Sequence, residues 1–173
     1  MAVTVANGRL GPAIVEIDGV DMGGSFGSIQ FSATVEEAEI KFDQLGTGPA
    51  DIVRTGMRAT LTIPWAEADL DKLASYMPGL SVIGAGPKKI NVTTGVGQQT
   101  LRDSLDVKVV VKPLLNPTTP VAAVDWITFP TAHLKADLEK SYTVDGQRVV
   151  NITAIALPDA NALLYVLGDE TAA

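Results

Sequence analysis

The chain has 173 residues, the length of one well-buried domain, with 46% hydrophobic but only 19% charged residues and a positive mean hydropathy. It holds no cysteine, which excludes disulfides, thiolate metal sites and cysteine nucleophiles, and one histidine, His133, which excludes a multi-histidine metal site within one chain. The net charge of −7 falls wholly within residues 16–51, where Glu16, Asp18, Asp21, Glu36, Glu37, Glu39, Asp43 and Asp51 outnumber Lys41; a surface of that kind repels phosphate backbones rather than holding them.

A chain this poor in charge is expected to leave apolar surface that other copies cover. No apolar run approaches the roughly 20 residues that a membrane-crossing helix needs, since Asn151–Leu157 stops at Pro158 and Leu163–Leu167 at Gly168. The first ten residues lack a basic stretch followed by an apolar one, so synthesis in a cytoplasm is the expectation.

In chain order, period-two alternation dominates and predicts strands. Ile29, Phe31, Ala33 and Val35 alternate with Gln30, Ser32, Thr34 and Glu36. After Glu36 the phase flips to Ala38, Ile40 and Phe42, which predicts a β-bulge near Glu36–Glu37 or a strand that leaves its own core to lie on a neighbour. A glycine- and proline-punctuated segment follows, with Asp43, Leu45, Gly46, Gly48, Pro49 and Asp51 in a predicted long hairpin loop over 43–55. Met57, Ala59, Leu61 and Ile63 then alternate with Arg58, Thr60 and Thr62. One helix is predicted over 65–77, with Leu70, Leu73, Ala74 and Met77 on its core face, Glu67 and Asp69 at its N-terminal dipole and Pro78-Gly79 as its stop.

Beyond the helix, Leu80–Gly97 reads as a loop with one short strand at Ile90–Thr93. Strands are predicted over Leu101–Val111, Val124–Phe129, Ala132–Val144 and Gln147–Leu157, the last two joined by a hairpin at Asp145-Gly146. Asp159–Leu164 reads as one helical turn before a final strand, Leu164–Leu167. The whole of residues 1–173 is therefore expected to be one mainly β domain: a β-sandwich or open barrel of two packed antiparallel sheets with one flanking helix.

No segment carries a catalytic signature. The glycine-rich stretches Gly84–Lys89 and Gly95–Thr100 lack the spacing of a phosphate-binding loop and read as turns. Glu36, Glu37 and Glu39 could supply paired carboxylates for a hydrolase, but no neighbour that would separate their proton affinities is evident, and a solvated acidic face is the plainer reading. Asn91-Val-Thr93 and Asn151-Ile-Thr153 match the glycosylation triplet, which arises often by chance. His133 reads as a surface histidine. Trp65 and Trp126 read as core, with a carbohydrate-binding platform as the alternative.

Several segments together resemble the major tail tube proteins of long-tailed, non-contractile bacteriophages. Gly11–Gly23 is similar to their opening strand and turn. Asp43–Gly56, followed by a threonine-rich strand and an acidic helix, is similar to their long hairpin loop and flanking helix. Leu101–Pro113, Lys135–Val150 and Leu167–Asp169 resemble their later strands. The resemblance implies a non-enzymatic virion protein without cofactor, metal or catalytic residues. Six copies would close a ring, and rings would stack into a hollow tube around a tape-measure protein, capped by tube-end proteins, through which duplex DNA passes without adhering.

On that reading Glu36, Glu37, Glu39, Arg58, Thr60 and Thr62, with polar positions of Leu101–Lys112, would line the lumen. Alternation sends Glu36 to the face opposite Val35 and leaves open whether Glu37 and Glu39 join it. The loop containing Asp43, Leu45, Gly46, Gly48, Pro49 and Asp51 would reach the adjacent ring. An adhesion or carbohydrate-binding β-sandwich is the alternative function.

Overall fold

Asp18 and Gly19 take positive φ, 50° and 77°, and so form the tight primed turn that joins β1 (Ala13–Ile17) to β2 (Val20–Asp21). The structure, a computed structural model, describes residues 12–42, 48–66, 69–76, 80–84, 86–92, 106–116, 119–137 and 149–172. After β2 come β3 (Gln30–Ile40), β4 (Asp51–Trp65), α1 (Leu70–Tyr76), β5 (Leu80–Ile83) and β6 (Lys89–Val92). They are followed by β7 (Asp106–Asn116), β8 (Thr119–Pro120), a 3-10 turn at Ala123–Asp125, β9 (Ile127–Asp137), β10 (Val150–Ala156) and β11 (Val166–Leu167).

Two antiparallel sheets result. The larger runs β2-β1-β7-β9-β10-β4-β3, with β11 added to β9 and β8 to β7; the smaller is the β5–β6 hairpin. The fold is therefore mainly β with one flanking helix, as the alternation predicts.

The large sheet curls until its two halves face each other across one core. β3 and β9 stand three strands apart, about 14 Å in a flat sheet, yet the rings of Phe31 on β3 and Phe129 on β9 lie 6.0 Å apart. Tyr165 wedges edge-on against Phe31 at 5.3 Å. At the other end the segment after β2 crosses the opening to reach β4. There the indole N–H of Trp65 donates to the Met22 carbonyl at 2.9 Å, Ala66 N–H donates to Gly24, and Phe26 N–H donates to Pro64. The enclosed core holds Met22, Leu61, Ile63, Trp65, Phe129 and Ile152, all essentially inaccessible to solvent.

Helix α1 and the β5–β6 hairpin cap the Trp65 end of this core. Asp69 caps the helix, its carboxylate accepting from Asp71 N–H at 2.9 Å. Leu73 and Tyr76 point inward, and Tyr76 meets Trp65 edge to face at 6.1 Å. The hairpin tucks Ile90 against the core.

Several expectations need correction. The helix is Leu70–Tyr76 rather than 65–77, because Trp65 is the last residue of β4, held in the ladder by Val150. Leu73 is buried as expected, and Leu70 and Ala74 are half-buried; Tyr76, not predicted, completes the core face, while Met77 lies outside the described residues. The loop over 43–55 is shorter than expected, since 51–55 already pairs with 37–40 as strand.

Leu80–Ile83, read as loop, is a strand paired with β6. Gly84 turns between them at φ +105°, where a Cβ would stand 2.6 Å from the Pro87 carbonyl oxygen; that turn is the ordinary one expected of Gly84–Lys89. The two strands predicted over 124–144 are one, β9. It runs through Pro130, which has no N–H to give, at an irregularity in the pairing with β7. Asp159–Leu164 forms no helix: the Asp159 carboxylate accepts from Asn161 and Leu163 N–H. The Asp145-Gly146 turn and Gly95–Thr100 fall outside the described residues.

Candidate assembly surface

β10 flanks β4 only from Thr60 to Trp65. Beyond Ala59, β3 and β4 pair with each other alone, and the ribbon they form projects about 25 Å past the core, at ~3.3 Å for each of the eight steps from Ala59 to Asp51. Such a two-stranded ribbon is marginal in water by itself, and both of its edges present unpaired backbone groups.

The pairing shifts register between Glu36 and Glu37, where the bulge was expected. The extra residue is Thr55 on β4: Gly56 stands opposite Glu36 and Arg54 opposite Glu37. A side chain at Gly56 would begin 3.4 Å from the Glu36 carboxylate, so the glycine makes the room that this acid occupies. β3 itself alternates without interruption. Glu37, Glu39, Ile52 and Arg54 therefore share one face of the arm, and Glu36, Ala38, Ile40 and Val53 the other.

Apolar side chains stand in water on both faces. Ile40, Ile52, Val53 and Met57 are 38–53% exposed and Phe42 55%. Covering what remains open would contribute about 1 kcal/mol for each, roughly 5 kcal/mol in all. The arm also carries Glu36, Glu37, Glu39 and Asp51 against Lys41 and Arg54, a net −2 over the described residues. The Lys41–Glu39 pair at 2.7 Å is half exposed and worth little. Gly48, Pro49 and Asp51 stand exposed at the arm's outer end; Asp43, Leu45 and Gly46 lie outside the described residues.

Below the arm, the outward face of β3, β4 and β10 is polar and close to neutral. Register places Gln30, Ser32, Thr34 and Glu36 beside Thr62, Thr60 and Arg58, with Thr153 beyond Thr62. Glu36 thus shares the face of Arg58, Thr60 and Thr62, whereas Glu37 and Glu39 lie on the reverse. Lys108 and Lys112 of β7 project outward from the opposite half of the curled sheet, so they do not share this face. The acidic stretch 16–51 is likewise divided. Glu16, Asp18 and Asp21 occupy the β1–β2 edge, and the remaining described acids the β3 edge.

The β1–β7 side holds a cleft of about 240 Å³ between Lys108, Lys112, Trp126 and Glu170. Its charges are paired: Lys112 with Glu16 at 2.5 Å and Lys108 with Glu170. Trp126 is half-buried here rather than in the core. Its indole N–H donates to Val121, and the Lys112 ammonium covers its ring at 4.5 Å. His133, half-buried, lies on the outward face of β9 opposite Asp106. At the neighbouring turn, hydrogen bonds from the Thr171 hydroxyl and N–H hold the Asp169 carboxyl below its usual range. On α1 the hydrogen-bonded Asp71 carboxylate raises the pKa of Lys88. Among the described residues no group of acidic and histidine side chains could hold a metal ion, and no helix is long and apolar enough to cross a membrane.

No protein-family model matches the chain, and a search of curated proteins finds no match.

Proposed function

We propose that the chain is a structural subunit that assembles with copies of itself, six to a ring, into the stacked tail tube of a long-tailed bacteriophage, and that it has no catalytic role. The observation that carries this reading is the β3–β4 arm. It is a ribbon with unpaired edges and five large apolar side chains in water, and a lone subunit has nothing to lay on it. Ring closure and stacking would cover the sheet edges and the arm together.

The outward face of β3, β4 and β10 supports a conduit. Hydroxyl and amide side chains dominate it, and Glu36 offsets Arg58, so a channel lined by it lacks the clustered cations that would bind a phosphate backbone by counterion release. DNA would pass without being held. On this account the subunit is made in the bacterial cytoplasm and ends in the virion tail, with a tape-measure protein and tube-end proteins as its further partners.

The carbohydrate-binding alternative loses its platform, because Trp65 is sealed in the core and Lys112 sits over Trp126. Light scattering on the purified protein tests the assembly reading. The expected species is six times the 18.1 kDa of one chain, or a larger stack. A single-chain mass at every concentration would refute it.

A further inference from the structure

The arm and the helical cap lie at opposite ends of β4, fourteen residue steps or about 45 Å apart. Their surfaces are complementary. The arm is apolar with a net charge of −2. The hairpin Leu80–Val92 carries Lys88 and Lys89 and no acid, and Lys89 stands exposed across the ladder from Ile83, itself 44% exposed. Lys88, paired with Asp71 of α1, fixes this cationic edge to the cap. One end of the molecule thus offers apolar and anionic surface, and the other apolar and cationic surface, along a single strand direction.

We propose that the arm of one copy docks on the outer face of the β5–β6 hairpin of the next copy, with Glu37, Glu39 and Ile52 set against Lys88, Lys89 and Ile83. The inference rests on the stacked-assembly reading and assigns its axial contact. Such a joint is head to tail: the patch used differs on the two partners, so it cannot close on itself as a two-fold dimer would and repeats along the strand axis. Opposite charge fixes the direction of addition, since arm against arm or hairpin against hairpin brings like charges together.

A charge exchange tests it. Glu37→Lys with Glu39→Lys makes the arm cationic, and Lys88→Glu with Lys89→Glu makes the hairpin anionic. Each variant alone should lose stacking at least tenfold by electron microscopy while keeping its lateral association. An equimolar mixture should stack again, because every arm then finds an oppositely charged hairpin on the other variant.

The neutral versions, Glu37→Gln with Glu39→Gln and Lys88→Gln with Lys89→Gln, disturb the fold less. They should weaken stacking without rescue on mixing. Charge-reversed variants that stack like the parent, or a mixture that stays unstacked, would overturn the proposed joint. A parent protein that forms no stack would overturn the assembly reading itself.

Discussion

Trp65→Phe probes the joint that closes the curled sheet. The indole lies at the end of β4 with 1% of its surface exposed, donates to the Met22 carbonyl at 2.9 Å and receives the edge of Tyr76. Phenylalanine keeps an aromatic partner for Tyr76 but has no N–H and less volume. Losing the hydrogen bond costs about 1 kcal/mol, and the residual cavity about 1–2 kcal/mol more. For a chain of this length the sum of roughly 2–3 kcal/mol lowers Tm by about 4–12 °C, read by circular dichroism with urea titration as a check.

The Lys72 ammonium, 3.4 Å from the same carbonyl, remains as a second donor. Adding Lys72→Met should therefore cost more on the Trp65→Phe background than on the parent, because only there is the Met22 oxygen left without these two donors. A Tm within 2 °C of the parent for Trp65→Phe, or strict additivity of the two changes, would show that this contact does not hold the sheet closed.

Leu73→Asp places an unpartnered carboxylate among core residues and should destabilise the subunit by several kcal/mol; a protein melting like the parent would show that this helix face is not buried. Deleting Leu45–Ala50 at the arm's outer end should leave folded subunits that no longer make long tubes, and tubes of normal length would remove the arm from the assembly. Glu36→Lys adds one cation per subunit to the proposed channel face beside Arg58, and DNA ejection from virions carrying it should slow most at low salt. Glu37→Lys with Glu39→Lys changes the reverse face and should leave that rate unchanged in whatever tubes form; the opposite ranking would mean the faces are misassigned.

Alternation alone made the main strands legible, because a sheet with one wet face writes its burial into every second residue, as Met57–Ile63 does against Arg58–Thr62. The change of phase after Glu36 located the bulge, but not which strand carries the extra residue. That depends on the partner's register, and Thr55 has no mark of its own in the sequence. The helix was drawn too long because Trp65, apolar and next to an acidic segment, suits a helix start as well as a strand end; its ladder partner Val150 lies 85 positions away. The β5–β6 hairpin was missed because its strands are four residues each and glycine lies on both sides. Its lysines looked like turn residues until the fold set them at the end of the molecule opposite the arm. The acidic stretch 16–51 looked like one surface, yet strand order splits it between two edges that are distant in the ladder.

Cryo-electron microscopy of the purified chain tests the central claim most directly. Rings of six subunits with an open centre are the expected result, stacked at high concentration, with the polar face of β3, β4 and β10 lining the hole and the β3–β4 arm buried between rings. Monodisperse single subunits with the arm still in solvent, or rings whose hole is lined by the β1–β7 side, would contradict it.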